Sequence, residues 1–180
     1  MTNSEVGYQT DGERWTLVFV RDLRHSPERV WAALTDPAQL GEWSPYTANR
    51  DLGEVGEATL TMLDDGPGTS EGMSEFVSRA EPPTLLEYTW GGDRLRWELV
   101  ALGSGTRLTL RHTLRERRWM PEVAAGWHLC FDVAEHLLDG CPVSPIRGKK
   151  AHDHGWEGLR EIYAKQLEIV EDPCLNPQAV

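Results

Sequence analysis

The chain has 180 residues, enough for one domain with a buried core, and at 39% hydrophobic and 26% charged it has the composition of an ordinary globular protein. Its 29 acidic residues against 18 basic ones leave a formal net charge of −11, a surface that repels phosphate backbones and anionic lipid and so disfavours nucleic acid and membranes as partners. No apolar stretch reaches the roughly 18 residues of a membrane span, and Met1 to Glu13 is polar rather than leader-like, so the expected location is cytoplasmic.

Residues 1–13 read as a flexible N-terminal tail. From Arg14 the chain alternates: Trp15, Leu17, Phe19, Arg21 and Leu23 share one strand face, and Thr16, Val18, Val20 and Asp22 the other. Ser26-Pro27 is an N-cap followed by proline in the first helical position, and Val30, Trp31 and Leu34 make a short apolar stripe. Asp36-Pro37-Ala38-Gln39 repeats the start signal, with Gln39 placed to close a capping box. Two short helices therefore follow the first strand and end near Trp43-Ser44-Pro45.

Strands and turns fill the middle. Glu57–Leu63 puts Ala58, Leu60 and Met62 on one face, Asp64 to Gly68 is a turn, and Gly72–Arg79 is the next run. Leu86, Tyr88 and Trp90 fall together before the hairpin signal Gly91-Gly92-Asp93. Leu95, Trp97 and Leu99 form the next inward set. After Gly103-Ser104-Gly105 come Leu108, Leu110, His112 and Leu114. Short turns between successive strands imply an antiparallel meander.

The end is helical. Pro121 opens a run to Leu138, closed by Gly140 and Pro142. Trp127, Cys130, Phe131, Ala134 and Leu138 mark one apolar face of a helix roughly 27 Å long, enough to cross a strongly curved sheet. A loop from Gly140 to Gly155 leads to a second helix over Trp156–Val170, with Leu159, Ile162, Tyr163 and Gln166 on one side, and 171–180 trail off. Segregated strands and helices make the fold class α+β, with a single domain over 14–170.

The order of elements and the residues that punctuate it resemble the START-like superfamily, also called SRPBCC or birch-pollen-allergen-like. Within it the chain resembles the branch of homologues of the heat-shock-protein-90 ATPase activator. The resemblance rests on Ser26-Pro27-Glu28-Arg29-Val30-Trp31-Ala32-Ala33-Leu34-Thr35-Asp36-Pro37-Ala38-Gln39-Leu40 with Trp43. It continues in Glu81 to Trp90, Gly105 to Leu110 and Gly126-Trp127, and spans roughly 14–140. It implies the helix-grip fold, a curved antiparallel sheet wrapped around a long C-terminal helix, with a hydrophobic cavity between them for a lipid-, polyketide- or aromatic-like molecule. The same fold carries cyclase, dehydratase and hydrolase enzymes and partner-binding modules, so the fold does not fix the function.

The residues expected to line the cavity and bind the ligand are Trp31, Met62, Phe76, Tyr88, Trp90, Trp97, Leu110, His112, Trp127 and Phe131. His112 is the one imidazole that alternation directs inward. It could orient a ligand carbonyl or act as a general base, or be a hydrogen-bonded or half-exposed strand-end residue; no Asp, Glu, Ser or Cys near it in sequence is evidently set to complete a relay. Arg21 needs a carboxylate or an anionic ligand if buried and nothing if exposed near a strand end, the simpler reading.

His128, Asp132 and His136 line up at i, i+4 and i+8, but the outer two lie about 12 Å apart along the axis, too far to grip one ion. They read as a solvated helical face. Cys130, Cys141 and Cys174 form no Cys-x-x-Cys pair and read as reduced thiols, Cys130 as a small core residue. The basic run Arg111 to Arg118 reads as a solvated strand end. No nucleophile motif, phosphate loop, metal site or cofactor is assigned.

Three functions follow: binding of a small apolar molecule without chemistry, an enzyme on the same fold, or a module stimulating a chaperone ATPase. The third is weakest, because in that branch the activity depends on an additional N-terminal domain, which this sequence is not expected to carry. An enzyme needs at least two convergent titratable groups, and only His112 and Arg21 offer themselves. A homodimer stays open.

Overall fold

Period-two alternation makes each strand of this chain half-buried, and short turns leave each pair no choice but to run antiparallel. The computed structural model describes residues 4–63 and 71–169. Its strands are β1 (Ser4–Thr10), β2 (Trp15–Leu23), β3 (Tyr46–Ala48), β4 (Gly56–Met62), β5 (Gly72–Glu81), β6 (Leu85–Trp90), β7 (Asp93–Leu102) and β8 (Gly105–Leu114). They form one curved antiparallel sheet in the order β1-β2-β8-β7-β6-β5-β4-β3. The turn between β6 and β7 is the two glycines Gly91 and Gly92, with φ of 59° and 89°, the left-handed pair that a two-residue hairpin matched to the strand twist requires.

The helices are α1 (Pro27–Thr35), α2 (Pro37–Trp43), α3 (Met120–Leu138), α4 (Lys150–Asp153) and α5 (Trp156–Gln166). Ser26 and Asp36 cap α1 and α2 as their sequence predicts, each accepting a backbone N–H in the first turn. The inner sheet face and α3 bury one continuous core that includes Leu17, Phe19, Leu60, Tyr88, Trp97, Leu110 and Phe131. This is the helix-grip architecture.

Four expectations are corrected. The segment expected as a flexible tail, 1–13, contains β1, paired to β2 from Ser4↔Arg21 to Thr10↔Trp15. An edge strand is held by backbone hydrogen bonds to one neighbour, and here only Val6 is buried, so alternation carried no signal. The three-residue strand β3 lies between Pro45 and Glu57, where the sequence reading assigned no element. Phe76 points outward and is 48% exposed, because the pairing of β5 with β6 shifts register between Val77 and Arg79. Val77 and Ala80 face inward on either side of that bulge, so counting back by twos from Ala80 reverses the face of Phe76. Finally, α5 ends at Gln166, and its buried line runs through Tyr163 and Leu167 while Ile162 is 58% exposed. The turn at Asp64 to Gly68, Val170, Cys174 and the tail 171–180 lie outside the described residues.

Candidate functional site

The first half of α3 is built from small residues, Ala124, Ala125 and Gly126, between Val123 and Trp127. A glycine inside a helix costs about 0.5–1 kcal/mol relative to alanine. Here nothing lies within 4 Å of where a Cβ on Gly126 would sit. The missing side chain is therefore not a packing necessity; it leaves space. That space is a cavity of about 530 Å³. Val123, Gly126, Trp127 and Cys130 of α3 form one wall, and Met62, Trp90 and His112, at or near the C-terminal ends of β4, β6 and β8, form the other. Residues 146–156, including Ile146, Arg147, Ala151, His152 and Trp156, close it from outside.

His112 is 1% exposed and held at both ring nitrogens. The Trp127 indole N–H donates to Nδ1 at 3.0 Å, and indole can only donate. Nε2 therefore carries the hydrogen and gives it to Asp93 Oδ2 at 2.9 Å. The carboxylate partner that the sequence did not show comes from the start of β7, nineteen positions away, because Leu95↔His112 pairing sets the two strands side by side. Trp90 leans on the same imidazole with ring centroids 5.7 Å apart. The arrangement fixes tautomer and ring plane, and it orients Trp127, whose face lines the cavity.

The covering strap is fastened at several points. Arg147 donates from Nε to Ser44 O at 2.9 Å and from a terminal nitrogen to Gly41 O, gripping carbonyls at the C-terminal end of α2. Arg117 donates to Leu167 O at 2.8 Å just beyond α5, and Gln166 to Val6 O of β1 at 3.0 Å. Tyr163 OH and His128 Nδ1 lie 2.6 Å apart between α5 and α3. Burial holds the His128 imidazole below its ordinary value, against the nearby Asp132 carboxylate. His128 thus belongs to the α3–α5 seam, which corrects its reading as part of a solvated face; His136 is exposed as expected.

Arg21 is also corrected. It is 3% exposed and pairs with Glu135 (3.1 Å) and Asp132 of α3. It is a tie between β2 and α3 and does not reach the cavity. Of the ten residues expected at the ligand site, Met62, Trp90, His112 and Trp127 meet at the cavity. Tyr88, Trp97, Leu110 and Phe131 are fully packed behind it. Tyr88 accepts from the Trp97 indole at 3.2 Å and shares a 2.7 Å bond with Tyr46, and burial pushes its hydroxyl up to about 12. Trp31 borders a separate surface depression with Thr35, Asp36 and Asp51, and Phe76 is outside. The reading missed Gly126, Cys130 and the whole strap contribution; Ile146 and Trp156, apolar in a polar stretch, were the available signal. Burial pushes the Cys130 thiol up to about 12, so it is an inert wall atom. Among the described residues no cluster of three or more His, Cys, Asp or Glu could hold a metal ion, and no helix is long and apolar enough to cross a membrane.

The sequence profile described as Activator of Hsp90 ATPase homolog 1-like protein matches residues 24–139. No curated protein matches significantly. Among solved structures, CalU16 from Micromonospora echinospora superposes with a TM-score of 0.66 at 20% identity, covering 91% of this chain and 96% of that one. EF2215 from Enterococcus faecalis, a conserved protein of unknown function, gives 0.69 at 14% identity over 93% of each chain. MLL2253 from Mesorhizobium loti gives 0.60 at 26% identity, covering 71% of this chain and 99% of that one. The strap, 140–169, lies beyond the residues the profile matches.

Proposed function

Because the chain belongs to the Activator of Hsp90 ATPase homolog 1-like family, within the START-like superfamily and its ligand-binding type of fold, we propose that it binds a small apolar or aromatic molecule in the cavity beneath the strap and performs no chemistry on it. The carrying observation is the cavity itself: about 530 Å³, within the 300–1,000 Å³ typical of small-molecule sites, walled by Met62, Trp90, Trp127 and Trp156. Flat indole faces suit a planar or alicyclic body. Gly126 supports the reading, since a helix-interior glycine with open space beside it gives up stability for volume.

Binding is tested by native mass spectrometry of freshly purified protein beside the variant Gly126→Leu. The leucine extends into empty space, so the variant folds and loses the co-purified ligand. A ligand retained equally by both would place binding elsewhere and remove the proposal.

Catalysis is a second reading, favoured by one observation: His112 and Asp93 form an imidazole–carboxylate pair at the cavity wall. Against it, both ring nitrogens are engaged, and taking a substrate proton requires giving up the bond from Trp127. If wild type converts its ligand while His112→Ala binds normally but turns over about a hundredfold slower, general acid–base catalysis replaces simple binding.

A further inference from the structure

The walls of the cavity differ in what it takes to move them. His112, Trp127 and Cys130 are 1%, 3% and 7% exposed, so a molecule large enough to fill about 530 Å³ reaches them only after some part of the wall has shifted. α3 and the sheet carry the main core, and displacing either would expose it. The strap is different. Not one of the residues 139–162 is buried, although Ile146, Arg147, Gly148, Ala151, His152 and Trp156 line the cavity. A segment with so little buried surface opens at a fraction of the free energy of global unfolding.

The strap's backbone lets it move as a piece between two fixed ends. Its own hydrogen bonds are local: Ala151 N–H donates to Gly148 O at 3.2 Å, His154 to Ala151 O at 3.1 Å and Gly155 to His152 O at 3.3 Å. At one end Cys141 N–H is held by His136 O of α3 at 3.0 Å; at the other, Tyr163 and Gln166 fasten α5 to α3 and β1. Gly140 and Gly155 stand at the two junctions with φ of 76° and 79°, and nothing lies within 4 Å of a Cβ placed on either. Packing does not demand glycine there; the left-handed backbone does, and such positions absorb changes of φ and ψ without a clash. Between them, Arg147 grips Ser44 O and Gly41 O, bonds that a rotation of the strap would break without uncovering the core.

We propose that 140–155 is a gate on the cavity, swinging about Gly140 and Gly155 to admit the small apolar molecule and drawn shut by Arg147 on the C-terminal carbonyls of α2. This rests on the binding function proposed above and adds the ligand's route. Opening parts the strap from α2 and leaves Trp156 with α5, and α3, the sheet and the α3–α5 seam in place. Entry and exit then both scale with the open population, whereas affinity compares two closed states and is independent of the latch.

Stopped-flow fluorescence with N-phenyl-1-naphthylamine on the full chain tests it. Arg147→Gln should raise the association and dissociation rates together, by about five- to tenfold, with the dissociation constant within about twofold of wild type. Faster dissociation with unchanged association would make Arg147 a plain ligand contact and overturn the gate. A second readout needs no ligand. The chain's three lysines are Lys149, Lys150 and Lys165, two of them inside the gate, so a lysine-specific endoprotease cuts there in proportion to the open population. Cleavage after Lys149 and Lys150 should be about five- to tenfold faster in Arg147→Gln and slowed in wild type by saturating probe. Equal cleavage of the two proteins overturns the proposal even where the variant no longer binds. Gly126→Leu separates the two levels: if it binds the probe as tightly as wild type, the binding reading falls and the gate with it. If it excludes the probe while Arg147→Gln leaves association unchanged, binding stands and the gate falls.

Discussion

The two halves of α3 face the same sheet and build opposite things. Toward its C-terminus, Phe131, Ala134 and Leu138 meet Leu23, Leu34, Trp43 and Leu108 around a gap of only about 20 Å³. Toward its N-terminus, Val123, Gly126 and Trp127 border about 530 Å³. Trp97 packs edge-on against both Trp127 (5.4 Å) and Phe131 (6.1 Å) and forms the partition between them. The difference lies in who covers the helix. α1 and α2 fill the closed end with side chains, whereas the other end is roofed by a strap held at its margins by arginine and tyrosine bonds. Solid packing makes a core; a bridged gap makes a site.

That contrast gives the largest expected effect. Phe131→Ala should lower unfolding free energy by about 3–5 kcal/mol, because its packed surroundings cannot collapse into the void. Met62→Ala, on the cavity wall, should cost about 1 kcal/mol or less, since much of its surroundings is already empty. Urea titration of both measures it, and similar losses would mean the two ends are equally packed. His112→Ala should leave the fold in place and weaken ligand binding roughly five- to tenfold, the worth of about one hydrogen bond carried through the orientation of Trp127. Unchanged affinity would show that Trp127 needs no such anchor.

Smaller still, Gly126→Ala should raise stability by about 0.5–1 kcal/mol while narrowing the cavity. Stability gained together with weaker binding is the signature of a residue kept for space; a loss of stability would refute that role. The smallest effect concerns the seam under α5. His128 is held below the ordinary imidazole value of about 6.5. Above that value folded and unfolded chains both keep it neutral and no stability depends on it. Below it the unfolded chain takes up a proton that the folded chain resists, so stability falls with pH through that range. Between about pH 7 and pH 5.5 the melting temperature should drop less for His128→Gln than for wild type; equal drops would exonerate His128.

Legibility followed the type of force involved. Caps at Ser26 and Asp36, the inward faces of β2, β7 and β8, and the long helix from Pro121 are local patterns, and they stand where the sequence puts them. Phe76 failed because one bulged residue reverses a period-two count without leaving a compositional trace. β1 failed because an edge strand is held by backbone groups that every residue shares. Arg21 and His112 were each read without a partner, since Asp132 and Asp93 are distant along the chain and adjacent only once strands pair and α3 docks.

The sequence by itself determined the α+β class, the meander and the helix laid across it, because periodicity, capping and turn chemistry act over a few residues. Which tryptophans pack and which wall a cavity was decided only in three dimensions. Trp97 and Trp127 carry the same inward pattern, but one is enclosed on every side and the other is bounded by a strap reaching back from 146–156. Empty volume is a property of what several distant segments fail to fill, and no local pattern of residues encodes it.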